Sequence, residues 1–150
     1  MRQIRFTKEG YNNLKREYDE LVKKRPGAVL NLKKAREMGD LSENGYYKAS
    51  RANLSEIDAK LKKTLFQLRN AEVVEKTGKN RVGIGNKITL SNEKNKLIYQ
   101  IVGDLEANPG LGKISLQSPF GKAVENKEVG ERIEIDTPNG KISYKLLKIE

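Results

Sequence analysis

Two series of residues spaced alternately three and four apart run through the first half of the chain, and they mirror each other about one point. Tyr11, Leu14, Tyr18, Leu21, Arg25, Ala28, Leu32 and Ala35 form the first series. Tyr47, Ser50, Leu54, Ile57, Leu61, Thr64, Leu68 and Ala71 form the second. A stripe this narrow is a coiled-coil seam rather than the broad apolar face of a globular helix. Folding the chain back at Leu41 pairs Ala35 with Tyr47, Leu32 with Ser50, and onward to Tyr11 with Ala71, every pair of numbers summing to 82. An intramolecular antiparallel helical hairpin satisfies that symmetry. At about 1.5 Å per residue each arm's seam is roughly 36 Å long. Thr7 is placed to cap the first helix. Arg25 falls on the seam, and Pro26 would cost about 3 kcal/mol in an ordinary helix interior. The register nevertheless continues unchanged past Pro26, which predicts a kinked but continuous helix rather than two short ones joined by a Pro-Gly turn.

The second half is written differently. Residues 76–150 hold nine of the thirteen Gly and three of the four Pro, with β-branched runs between them. Lys87 to Leu90, Leu97 to Val102, Ile114 to Leu116, Arg132 to Asp136 and Lys141 to Ile149 are the predicted strands. Pro138-Asn139-Gly140 marks a hairpin between the last two. Ser118-Pro119 suits an N-cap followed by a first-turn proline, predicting one short helix through Val124. The fold class is therefore α+β: a coiled-coil hairpin over 1–75, a polar linker at 76–80, and a small sheet domain over 81–150. Val82-Gly83-Ile84-Gly85 lacks the strand-loop-helix context of a nucleotide-binding loop and is not read as one.

Composition narrows the chemistry. The 150 residues include 30 Lys or Arg, 20 Asp or Glu, and neither Cys nor His, for a net charge of +10. Without Cys and His there is no disulfide framework, no Cys/His zinc site, no thiol nucleophile and no histidine-based triad. Catalysis is left to carboxylates, Lys, Tyr and hydroxyls, or to a partner. The positive balance points to a polyanionic partner. No apolar run approaches the roughly 18 residues of a membrane span, and no signal-peptide stretch opens the chain. A cytoplasmic protein without a membrane partner is expected.

Between Met38 and Tyr47 the only charged residues are Asp40 and Glu43, so the fold-back of a basic stalk is locally acidic. Two readings stand side by side. Asp at a helix N-cap with Glu three residues on is a capping-box arrangement, favoured by the helix dipole. Two carboxylates at that spacing could equally share a divalent cation or order a water molecule. Mg²⁺ prefers six oxygen ligands, so two exposed carboxylates would hold it weakly alone. If the pair works on a metal, another molecule completes the site.

The residues from Ala35 to Asn44, Ala-Arg-Glu-Met-Gly-Asp-Leu-Ser-Glu-Asn, resemble the tip motif of the bacterial Gre transcript-cleavage factors. Asn70-Ala71-Glu72-Val73-Val74 is similar to the end of that family's second helix. Ile101-Val102-Gly103-Asp104, Ser118-Pro119 with Gly121-Lys122-Ala123, and Val129-Gly130 followed by Thr137-Pro138-Asn139-Gly140 continue the likeness in order. The resemblance implies an N-terminal antiparallel coiled coil and a C-terminal FKBP-like domain. It implies a monomer whose coiled coil enters the secondary channel of bacterial RNA polymerase core while the globular domain docks at the rim. There the tip acids act on the backtracked nascent RNA 3′ end. Asp40 would assist a weakly held Mg²⁺ in the polymerase active site, and Glu43 would orient or deprotonate the attacking water. Such a factor is no enzyme itself but stimulates the polymerase's own cleavage.

The resemblance also assigns RNA phosphate contacts to the basic residues Lys33, Lys34, Arg36, Lys48 and Arg51, whose other reading is a solvated helical surface. Where the family commonly has Ala-Glu after Asn44, this chain has Gly45-Tyr46. That removes one acid and adds a glycine costing roughly 1 kcal/mol relative to Ala. Tyr46 is expected to pack against the tip, with stacking on a base as the alternative. Tyr11, Tyr18 and Tyr47 fall on the seam and are expected in the core. Two other functions stay in view: a secondary-channel regulator that modulates polymerase without cleavage, and a free-standing metal-dependent ribonuclease using Asp40 and Glu43.

Overall fold

The computed structural model describes residues 3–39, 44–76 and 78–150. The chain forms two compact units, one of residues 12–70 and one joining the residues up to Tyr11 with Ala71–Glu150.

The first unit is the predicted hairpin. Helix α1 (Lys8–Arg36) and helix α2 (Gly45–Arg69) carry the two seams. From Leu14 to Ala35 and from Tyr47 to Leu68, every seam residue except Arg25 is buried or half-buried. Ala28, Ala35, Ser50 and Thr64 are small residues among the most buried, which keeps the seam thin. The Thr64 hydroxyl is satisfied within its own helix, donating to Lys60 O at 2.7 Å. Arg25 leaves the seam. Its guanidinium reaches across to the Asp58 carboxylate, with Nε–Oδ1 at 2.6 Å and Nη2–Oδ2 at 3.3 Å. Asp58 is the neighbour of Ile57, the seam partner of Arg25, so this exposed ion pair marks the predicted register. Helix α1 runs through Pro26 without interruption. Helix α2 ends at Arg69 with Asn70 as its cap, so Ala71 is not its final seam residue.

In the second unit Ala71 instead opens a strand. β1 (Ile4–Phe6) and β2 (Ala71–Val73) pair in parallel, Ile4 opposite Ala71 and Phe6 opposite Val73. Neither strand is legible as a separate element in the sequence. The other five are the predicted ones: β3 (Lys87–Ser91), β4 (Lys96–Val102), β5 (Lys113–Ser115), β6 (Arg132–Thr137) and β7 (Gly140–Ile149). They form one sheet in the order β5-β4-β3-β7-β6, antiparallel except for the β4–β5 pair. Helix α3 (Pro119–Val124) follows its Ser118 cap, whose hydroxyl accepts from Gly121 N at 3.0 Å. Gly121 has no room for a Cβ, which would lie 1.9 Å from Ser115 O. Ile88, Leu90, Ile101, Val124, Ile133 and Leu146 close the core without solvent exposure. Asn86, equally buried, fixes the loop before β3. Its side chain accepts from Gly83 N at 2.9 Å and donates to Gly78 O and Glu150 O. The glycine-rich run at Val82–Gly85 is thus part of the core architecture.

The start of α1 is tied to the loop after β4. Arg5 N donates to Asp104 Oδ2 at 2.8 Å, its guanidinium meets the same carboxylate at 2.9 Å, and Asp104 N donates back to Arg5 O. Thr7 caps α1 as expected, its hydroxyl accepting from Gly10 N at 3.0 Å. In a capping box the residue at the position of Gly10 would be Glu or Gln, reaching back to the cap's N–H. Here Glu106 performs that task from elsewhere in the chain. It accepts from Thr7 N at 2.8 Å, from Gly103 N at 2.9 Å and from the Thr7 hydroxyl. Its carboxylate fills the space a side chain at Gly10 would need, since a Cβ there would lie 2.1 Å from Glu106 Oε1.

That arrangement reverses a usual rule. Alanine is worth about 1 kcal/mol over glycine in a helix, yet Gly10→Ala should lower stability by about 1–2 kcal/mol through loss of the charge-assisted bonds. In a Glu106→Ala background the same change should raise stability. Thermal denaturation of the four proteins checks the reversal of sign, and additive effects would contradict it.

Candidate functional site

The fold-back end of the hairpin is organised by one side chain. Asn44 caps α2, its Oδ1 accepting from Tyr47 N at 3.0 Å. Its Nδ2 donates to Ala35 O, also at 3.0 Å, in the last turn of α1. One amide therefore satisfies a stray N–H of the starting helix and a carbonyl of the ending one. The cap position belongs to Asn44, not to Asp40, which corrects the capping reading of that residue. The candidate acids Asp40 and Glu43 themselves lie outside the described residues. Met38 N donates to Ala35 O at 3.2 Å in the turn after α1, and Gly39 follows at φ +117°.

The predicted basic residues are divided by the structure. Arg51 of α2 and Arg36 of α1 lie near enough to the Tyr47 hydroxyl to act on its ionisation, Arg51 the more strongly. Both guanidiniums favour the phenolate, and they hold the Tyr47 pKa below the ordinary tyrosine range. Tyr47 is therefore half-buried as a seam residue expected in the core, while its polar end lies near two cations, one from each arm of the hairpin. Lys48 lines the same shallow depression as Tyr47 and Arg51. Lys33 and Lys34 are exposed on the last turn of α1, where cations suit the helix dipole. Among the described residues, none of these five forms an ion pair.

Tyr46 is 45% exposed and has no aromatic partner among the described residues; residues 40–43 of the tip, against which it is expected to pack, lie outside the described residues. Sequence reasoning placed Asn44 in the tip motif without recognising its double role. The signal available was a cap-forming Asn directly before a heptad run. Among the described residues no group of three or more acidic side chains could hold a metal ion.

The N-terminal model of the transcription elongation factor family matches residues 4–73, and the GreA/GreB C-terminal model matches residues 76–150. The chain belongs to the GreA/GreB family of transcription elongation factors. It is 47% identical over 156 residues to the transcription elongation factor GreA of Neorickettsia sennetsu, spanning all of this chain and 98% of that protein. It is 39% identical over 152 residues to the GreA of Thermodesulfovibrio yellowstonii, covering 97% and 96% of the two chains. Among solved structures, GreA factor homolog 1 of Thermus thermophilus is 27% identical, with a TM-score of 0.47 over 99% of both chains. Both halves of the chain thus match the family in the family's order. No described helix is long and apolar enough to cross a membrane.

Two measurements test the geometry of this end of the hairpin. Asn44→Asp keeps a good cap but loses the donor to Ala35 O. It should cost about 1–2 kcal/mol in thermal stability where a simple cap exchange would be near neutral. Absorbance titration should show one tyrosine ionising at a lower pH than the rest, absent in Tyr47→Phe and moved upward in Arg51→Met. An unmoved titration in Arg51→Met would contradict the contact.

Proposed function

We propose that this GreA/GreB-family chain inserts its hairpin into the RNA polymerase secondary channel and lends Asp40 and Glu43 to the polymerase active site. It thereby stimulates Mg²⁺-dependent cleavage of backtracked RNA. The observation that carries the reading is the family match over both halves of the chain, at residues 4–73 and 76–150. The Asn44 side chain caps α2 and donates to Ala35 O, so it joins the two helices on either side of the segment that contains Asp40 and Glu43.

The ligand count supports a shared site. Mg²⁺ takes six oxygens, and a pair of carboxylates supplies a minority of them. Asp40 would hold the ion jointly with the polymerase, and Glu43 would accept the proton of the attacking water. In a two-metal centre the ion stabilises the attacking and leaving oxygens of the phosphodiester. The chain's own part is to place the carboxylates and to hold the RNA. Arg36 and Arg51, near the Tyr47 hydroxyl, present guanidiniums from both helices, and Lys33, Lys34 and Lys48 add positive charge nearby. Such phosphate contacts would be sensitive to salt. The sheet domain over 81–150 is the part that would dock at the channel rim.

The test uses halted, backtracked elongation complexes. Asp40→Asn and Glu43→Gln should each reduce stimulated cleavage on the order of a hundredfold while binding to polymerase is retained. Cleavage of RNA by the chain without polymerase would instead reveal a nuclease. Undiminished stimulation by Asp40→Asn would remove that residue from the mechanism.

A further inference from the structure

β7 outruns the strand on one of its sides. It pairs with β6 from Gly140 to Lys145, and with β3 only from Lys145 to Ile149. β3 stops at Ser91, opposite Lys145, and the chain turns away through residues 92–95 into β4. That turn is closed on itself. Asn92 N donates to Asn95 O, and the Asn92 side chain accepts from Lys94 N and Asn95 N. Successive residues of an antiparallel strand aim their N–H and C=O to opposite sides. Leu146 aims at the β6 side, accepting from Gly130 N and donating to Glu131 O. Tyr144 and Ile142 follow it, while Lys141 and Ser143 aim the other way, past the end of β3. Among the described residues neither β3 nor the turn pairs with the N–H and C=O of these two.

The gap beside them is a depression of about 660 Å³. Lys94, Lys141 and Lys145 line it and form no ion pair among the described residues. Arg132 joins them, its Nη2 donating to Ser143 Oγ at 2.9 Å and its Nε 3.7 Å from Glu134. Among the described lining residues Glu93 is the only acid. Glu134 and Asp136 share the face of Lys141 and Lys145, but they belong to β6, on the side of β7 away from the gap. The opposite face carries Ile142, 38% exposed, and the buried Tyr144. Lysines along an open edge repel a second copy of the same chain and attract a strand of opposite charge.

We propose that this notch takes an extended acidic segment of a partner protein as an added strand. The segment continues the line of β3 and completes the ladder with the backbone of Lys141 and Ser143, as in strand addition to a sheet edge. Its side chains alternate, acids over the lysines and apolar groups over Ile142. A nucleic acid supplies the charge but no row of N–H and C=O at strand spacing. The inference does not rest on the cleavage reading above.

The probe is a short capped peptide of alternating Glu and Val, read by amide hydrogen exchange in the full chain. In the free chain the Lys141 and Ser143 amides should exchange fast, while those of Ile142 and Tyr144, turned to β6, are protected. Peptide should slow Lys141 and Ser143 by at least about tenfold, and salt should weaken the effect. The same peptide with methylated backbone nitrogens keeps its charge and should lose the protection. Lys141→Glu with Lys145→Glu should weaken peptide binding by at least about tenfold with Ile142 and Tyr144 still protected, which separates lost binding from misfolding. Equal protection by the methylated peptide, undiminished binding by the double variant, or no protection at the highest soluble peptide concentration would each overturn the proposal. So would stronger protection by an oligouridylate, which would assign the notch to nucleic acid. Protection that grows with the chain's own concentration would assign it to a second copy and overturn the proposal as well.

Discussion

A helix that ends and a helix that begins each leave four backbone groups without partners, and a hairpin brings both sets to the same place. In this chain the Asn44 side chain answers both at once, accepting from Tyr47 N and donating to Ala35 O. The arms are held in register below it by a thin seam and by the Arg25–Asp58 pair. This closure brackets the segment that contains Asp40 and Glu43. Cap and register are consequences of a single geometry.

The other unit shows a comparable economy. Glu106 supplies the carboxylate that a capping box normally carries within the helix, and Gly10 stands where that internal acid would be. The start of α1 therefore depends on a loop almost a hundred residues away in sequence. Gly103 serves the same contact, since a Cβ there would lie 2.1 Å from Glu106 Oε2. These glycines are read best as space kept for a partner's side chain, not as flexible joints.

Much of this was legible because periodicity reports burial. The two mirrored series predicted which helix residues face inward, and the alternation in the second half located all five strands of the sheet. What escaped were features defined by distant partners. β1 and β2 are three residues each and too short to show a period, so Ala71 read as the last seam residue of α2. The cap by Asn44 was hidden behind a more conspicuous acid pair. Arg25 had the right position and the wrong environment, since a seam residue with a long charged side chain can swing out to an acid on the facing helix. The basic residues stood out as a group in the sequence, but the nearness of Arg36 and Arg51 to the Tyr47 hydroxyl depends on the pairing of the two helices.

The chain belongs to the GreA/GreB family, and on the proposed reading its stalk would carry carboxylates to a catalytic centre it does not own. The absence of Cys and His fits that reading, in which the reacting metal and most of its ligands would belong to the partner. The most direct measurement is the Mg²⁺ dependence of RNA cleavage by backtracked polymerase, with and without the chain. If the tip donates ligands to a weakly held ion, saturating chain should move half-saturation to lower Mg²⁺ concentration. An unchanged Mg²⁺ dependence, with only the maximal rate altered, would contradict the account.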